Sequence, residues 1–178
     1  LVLYAFKVSP WSHYKAMSPA LLTAFSTASS LSSLPIAMEC VENRAGISNR
    51  VASFTVPLGL NLNMNGSALY ECTVVLFIAQ LYGVVNPGFS LTFADQVMVV
   101  LLSMVTSVGV TGIPSASLVA LTVVLSAMGL PLEYLGIVMV VDRLLDMCRT
   151  AVNLYSDTVA AVVVACSEGE RPRYREEG

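Results

Sequence analysis

The sequence predicts an all-α integral membrane protein made of two oppositely oriented re-entrant helical hairpins, one interrupted transmembrane helix and one polar-striped amphipathic transmembrane helix. Three observations carry that prediction. The 178 residues are 56% hydrophobic and 12% charged, with a mean hydropathy of +0.74, whereas roughly a quarter of residues are charged in an ordinary soluble domain. An uncharged run from Gln96 to Leu132 is broken at its centre by Gly109, Gly112 and Pro114. Asp142, Asp146, Arg149, Asn153 and Asp157 recur inside an apolar stretch in steps of four, three, four and four.

Residues 1–15 read as the end of a preceding membrane helix and a cytoplasmic loop. Their apolar start lacks the basic region and cleavage site of a signal peptide, so a further membrane segment is expected upstream. Residues 16–48 form the first re-entrant hairpin: a short apolar arm, an apex at Ser29, Ser30, Ser32 and Ser33 closed by Pro35, and a second arm ending at Glu42 and Arg44. His13 is expected in the loop before it.

Residues 49–83 are long enough to span, since a crossing needs about 20 residues. Asn61, Asn63, Met64, Asn65, Gly66 and Ser67 interrupt this segment near mid-depth, because Asn and Gly weaken helix propensity. Unwound carbonyls and amides there are oxygen ligands suited to an alkali cation, a break that survives only beside a cavity. Residues 84–94 form an external loop, and 95–130 a second hairpin whose arms are each too short to cross. Residues 131–167 form the last transmembrane helix. At about 100° per residue its five polar side chains fall within roughly an 80° arc. An ionised group at the bilayer centre is costly, so that face meets a cavity or a partner. Hairpin then span, repeated once with opposite orientation, is the inverted-repeat plan of many secondary transporters.

Lys7, Lys15, Arg44 and Arg50 precede the first long span, no Lys or Arg follows until Arg143, and Arg171, Arg173 and Arg175 crowd the tail. The positive-inside rule therefore puts both ends in the cytoplasm. Residues 168–178 read as a solvated tail. Cys40, Cys72, Cys148 and Cys166 are too scattered for a disulfide framework or zinc site and read as packing residues. An intramembrane aspartyl protease needs carboxylates converging from different helices; these lie on one helix, and no enzyme is expected.

Asn63-Met64-Asn65-Gly66-Ser67-Ala68-Leu69-Tyr70 resembles the NMDGTALY motif of the dicarboxylate/amino acid:cation symporter family, the sodium-coupled glutamate and aspartate transporters. Ser29-Ser30 through Leu34-Pro35 is similar to that family's first hairpin, Gly109 through Pro114 to its second hairpin tip, and Asp146-Met147-Cys148-Arg149-Thr150 with Asn153 and Asp157 to its last helix. The resemblance covers nearly the whole chain and corresponds to the C-terminal transport-domain half of such a protein.

The resemblance implies a symporter of acidic amino acids or dicarboxylates in a plasma or bacterial inner membrane, working by alternating access. Arg149 would hold the substrate's side-chain carboxylate and Asp146 its amino group. Asn153 and the Ser29 and Ser30 backbone would take the α-carboxylate, with Ser67, Thr150, Gly112 and Ile113 lining the pocket. One sodium site would comprise Gly59, Asn63, Asn153 and Asp157, and a second Asn61, Met64, Ser107, Val108 and Val110. Asn65 occupies the position of a further cation-site aspartate, and Glu71 that of a proton- and potassium-coupling glutamate. The resemblance further implies a homotrimer assembled through a scaffold outside this chain. No resident cofactor and no nucleic acid is expected, only transported sodium, with proton and potassium as further candidates. Three departures bear on this: Asn65 removes a negative charge, Leu31 replaces a serine of the first hairpin, and Ser117 replaces a glycine of the second. Asn65, Leu31 and the absence of the N-terminal half favour one alternative, a degenerate or truncated paralogue that no longer transports. The other is a mainly anion-conducting, channel-like member, since the same polar lining could conduct and the resemblance implies an anion leak beside transport.

Overall fold

A computed structural model describes residues 1–109 and 116–174, and every described element is helical. The chain divides into two compact units, one comprising Leu1–Asn63 with Met147–Gly178, the other Met64–Asp146.

The first unit opens with a single turn, α1 (Val2–Ala5), followed by α2 (Pro10–Thr27) and α3 (Ser30–Glu39). Pro10 sits in the first turn of α2, where its missing N–H costs nothing, and the Ser9 hydroxyl accepts from the Ser12 N–H. Pro19 removes the N–H that would bond to the Lys15 carbonyl; the Ser18 hydroxyl donates to that carbonyl instead, at 2.8 Å. Ala28 turns the chain in a left-handed conformation (φ +50°), and Ser29 caps α3 by accepting from the Ser32 N–H at 3.2 Å. With only those two residues between them, α2 and α3 pack on one another as a helical hairpin. Pro35, expected to close the apex, lies inside α3 instead. The turn is already complete at Ala28 and Ser29, and Ser30 to Ser33 form the first turn of the next helix.

The buried face of α2 is His13, Ala16, Met17, Ala20, Leu21 and Ala24, a spacing of three and four that makes one helical stripe. Ala37, Ala45, Ala52, Ala161 and Ala165 belong to the same core. Side chains this small let helix backbones approach closely, the packing favoured where lipid surrounds a bundle.

A π-helical turn (Cys40–Arg44) leads to Gly46, whose φ of +69° favours glycine and whose α-carbon faces the Arg173 backbone. Next comes α4 (Asn49–Leu62), capped by Ser48. Part of the tail docks here, while Glu168, Gly169, Arg171 and Arg173 stay exposed. The Arg173 N–H donates to the Ala45 carbonyl at 2.8 Å, and the Glu170 carboxylate accepts from both the hydroxyl and the N–H of Ser48. Those bonds hold the Glu170 carboxyl below its ordinary range. Tail and hairpin base thus lie at the same end of this unit.

The second unit contains α5 (Asn65–Val85), α6 (Phe93–Gly109), α7 (Ala116–Ala127) and the start of α8 (Leu135–Ser167), which a 3-10 turn at Leu132–Tyr134 precedes. Helices α5, α6 and α7 pack against one another around Val74, Val75, Ile78, Val99, Leu121, Val124 and Leu125. Met104 and Val105 of α6 and Met139 and Val140 of α8 remain exposed, as suits an apolar solvent.

Counted through α4 and α5, Asn49–Val85 is 37 residues long and apolar enough to cross a membrane. Its interruption is narrower than the sequence predicts. Only Asn63 (φ −101°, ψ 72°) and Met64 (φ −97°, ψ 44°) leave the helix. Asn61 stays in α4, with its side-chain amide donating to the Pro57 carbonyl at 3.1 Å, and Asn65, Gly66 and Ser67 form the first turn of α5.

Candidate functional site

Asp157 of α8 is fully buried in the first unit. Asn63, just past the end of α4, donates from Nδ2 to Asp157 Oδ1 at 3.0 Å and to the Ser156 hydroxyl at 2.8 Å. Release of Asn63 from helical geometry is what turns its amide toward α8, while its own N–H still bonds to the Gly59 carbonyl at 2.7 Å. Gly59 lies against the same carboxylate: a β-carbon there would fall 2.7 Å from Asp157 Oδ1 and 2.9 Å from its Cγ. Among the described residues Asp157 Oδ2 has no hydrogen-bond partner. A buried carboxylate with one oxygen engaged and the other open is a strong hard-oxygen ligand for a small cation. Asn153, one helical turn earlier, is also buried, at 5% exposure.

Gly59 supplies a test of this packing. Gly59→Ala is expected to force α4 and α8 apart, since the added methyl meets Asp157 atoms close to its backbone. Melting of the purified protein should register a loss of about 1–3 kcal/mol.

The remaining positions of the first unit are Ser29 and Ser30, half-buried at the start of α3; Asn61, exposed on α4; and Arg149 and Thr150 on α8, half-buried and buried. Val110, Gly112 and Ile113 lie outside the described residues.

In the second unit Glu71 is buried at 1% exposure on the inward stripe of α5 and accepts from the Thr106 hydroxyl at 2.8 Å. Ser107 is buried beside it in sequence, and Val108 is exposed. Met64 and Ser67 are half-buried and Asn65 exposed at the start of α5. Asp142 accepts from the Tyr70 hydroxyl at 2.6 Å, and Arg143 approaches Asp146 at 3.9 Å. Asp142 therefore has a partner on α5, and Arg143 lies near Asp146.

Sequence reasoning passed over Ser156, Tyr70 and Thr106, which hold Asn63, Asp142 and Glu71. Thr106 had a readable signal: Ser103, Thr106 and Ser107 form a hydroxyl stripe within the uncharged run that starts at Gln96. His13, expected in a loop, is fully buried in α2 and bonded to Thr158 and Tyr174. Ser156 and Tyr70 carry no periodicity that separates them from packing residues.

Apolar helices with carboxylates and amides gathered in their interior suit an integral membrane protein. Residues 1–167 match the sodium:dicarboxylate symporter family, and the chain belongs to it. It is 42% identical over 156 residues to the human protein named "Excitatory amino acid transporter 2", covering 88% of this chain and 26% of that one. It is 40% identical over 163 residues to the "Proton/sodium-glutamate symport protein" of Geobacillus stearothermophilus, covering 92% and 37%. Against an "Excitatory amino acid transporter" of Caenorhabditis elegans the identity is 39% over 158 residues, covering 89% and 30%. The chain thus spans between about a quarter and somewhat over a third of the length of these relatives.

Proposed function

We propose that this chain supplies the ion- and substrate-handling part of a symporter that moves an acidic amino acid or dicarboxylate across a cell membrane, driven by sodium. The observation that carries the reading is the Asp157 site: a fully buried carboxylate, gripped by Asn63, pressed on Gly59 and open at Oδ2. Relatives named as excitatory amino acid transporters and as a proton/sodium-glutamate symport protein support it.

Sodium is the transported ion, and Gly59, Asn63, Asn153 and Asp157 are its ligands in the first unit. The peptide carbonyls of Asn61, Met64, Ser107, Val108 and Val110 are candidates for a second ion. Asn65 lacks the charge of the family's motif aspartate, which favours a smaller ion stoichiometry. Glu71, buried and hydrogen-bonded by Thr106, is the group for proton or potassium coupling. Arg149 holds the distal carboxylate, as its planar fork pairs both oxygens. Asp146 receives the amino group, and Asn153, Ser29 and Ser30 take the α-carboxylate, with Ser67, Thr150, Gly112 and Ile113 around them.

In this reading residues 16–48 and 95–130 are re-entrant hairpins entering from opposite faces, 49–83 and 131–167 cross the bilayer, and 84–94 is external. Residues 1–15 and 168–178 are cytoplasmic, the protein is multi-pass, and it assembles as a homotrimer through a scaffold outside this chain. Occupancy controls movement, since bare cation-site carboxylates are costly to carry through lipid. Radiolabelled aspartate uptake into membranes expressing the complete reading frame is expected to collapse when choline replaces sodium. Uptake that continues unchanged would overturn sodium coupling.

A further inference from the structure

His13, Thr158 and Tyr174 are far apart in sequence and belong to no motif, yet they form one directed hydrogen-bond chain. Thr158 is fully buried one residue beyond Asp157. Its hydroxyl donates to the Tyr155 carbonyl at 2.8 Å, which commits its only proton. The 3.0 Å contact between Thr158 Oγ1 and His13 Nε2 is therefore donated by the imidazole. Nδ1 of the neutral ring is left as an acceptor, and the Tyr174 hydroxyl donates to it at 3.1 Å. The ring itself is wedged between Tyr155 and Tyr174, with centroids 5.4 and 5.9 Å away. Tyr174 is fixed in turn by the adjacent Arg173 N–H on Ala45 and by Glu170 on Ser48.

We propose that His13 and Tyr174 are positioning residues for the Asp157 cation site: through Thr158 they fix the rotation of α8, so that the neighbouring carboxylate stays against Asn63 and Gly59. The tail thereby participates in ion binding without touching the ion. The geometry is specific, because Asp157 and Thr158 project about 100° apart on the helix. A hydrogen bond that holds one of them sets the direction of the other.

The proposal rests on the sodium reading of Asp157, and its test separates the two. The complete protein would be purified, and its melting followed in sodium chloride titrated against choline chloride. Sodium that binds the folded state stabilises it by RT ln(1 + c/Kd) at sodium concentration c, so the concentration at which melting begins to rise, the sodium midpoint, reports its affinity. Tyr174→Phe keeps the ring and loses only the hydroxyl. It is expected to raise the sodium midpoint about fivefold, the worth of one hydrogen bond. His13→Phe should raise the midpoint further, and His13→Gln, whose amide can still donate to Thr158, should restore part of the loss. Arg171→Ala, on the exposed side of the tail, should match the parent. Variants that melt lower without sodium but keep the parent's midpoint would overturn the proposal, leaving these residues purely structural. Midpoints and melting that both match the parent would overturn it as well. A parent protein whose melting ignores sodium would overturn the cation reading of Asp157 and the positioning role with it.

Discussion

Arg149→Cys is expected to reduce aspartate uptake on the order of a hundredfold or more. Truncating one partner of a desolvated charge pair commonly costs 2–5 kcal/mol, roughly thirtyfold to several thousandfold, because the other charge is left in a poor solvent. Arg149 lies on the half-buried part of the α8 stripe, one turn before the buried Asn153. A cysteine there removes the guanidinium and opens space, so small neutral amino acids should gain uptake while acidic ones lose it. Competition of unlabelled alanine, serine and aspartate against a labelled neutral substrate checks both changes. Equal aspartate affinity in parent and variant would end the assignment of Arg149 to the distal carboxylate.

Asp157→Asn should act on the ion rather than the substrate. The replacement has nearly the same shape, its amide oxygen can accept from Asn63 in place of Asp157 Oδ1, and it still fits against Gly59. What disappears is the negative charge in a fully buried place. Interactions of a charged group of this kind are worth about 1.5–3 kcal/mol, so the sodium concentration for half-maximal uptake should rise roughly tenfold to a hundredfold. Sodium titration of uptake, with melting as a control for folding, distinguishes this from Gly59→Ala, where stability falls first. A sodium midpoint equal to the parent's would remove Asp157 from the ion site.

The stripe on α8 and the break after α4 were legible because each is a violation: charge in an apolar helix, and Asn and Gly in a span. Such violations are costly, and their spacing alone identifies the shared face. The extent of the break was not legible. Propensity lowers the helix score of Asn61 and Asn65 alike, but the Asn61 amide finds the Pro57 carbonyl, and Asn65 sits in a first helical turn, where polar residues are tolerated. Pro35 misled for a related reason, since a proline marks strain without saying whether the chain turns or a neighbouring helix absorbs it.

The His13 chain lay beyond reach because it joins residues 145 and 161 positions apart. Nothing in a single sequence marks such a pairing, and a histidine before an apolar segment reads as a loop residue. The docking of part of the tail was not legible in its composition. Its alternating charges imply solvation, whereas its docking uses one backbone N–H, one carboxylate and one phenol, groups whose partners composition does not encode.

The alanine seam between α2 and its neighbours has a thermal consequence. Helices that meet in lipid gain little from releasing water, so their cohesion follows from close van der Waals contact. Apolar hydration weakens as a driving force on cooling, and a water-facing core loosens with it. A hairpin held through Ala16, Ala20, Ala24 and Ala37 lacks that sensitivity, and its association should persist in the cold while the water-exposed parts of the protein lose some of theirs.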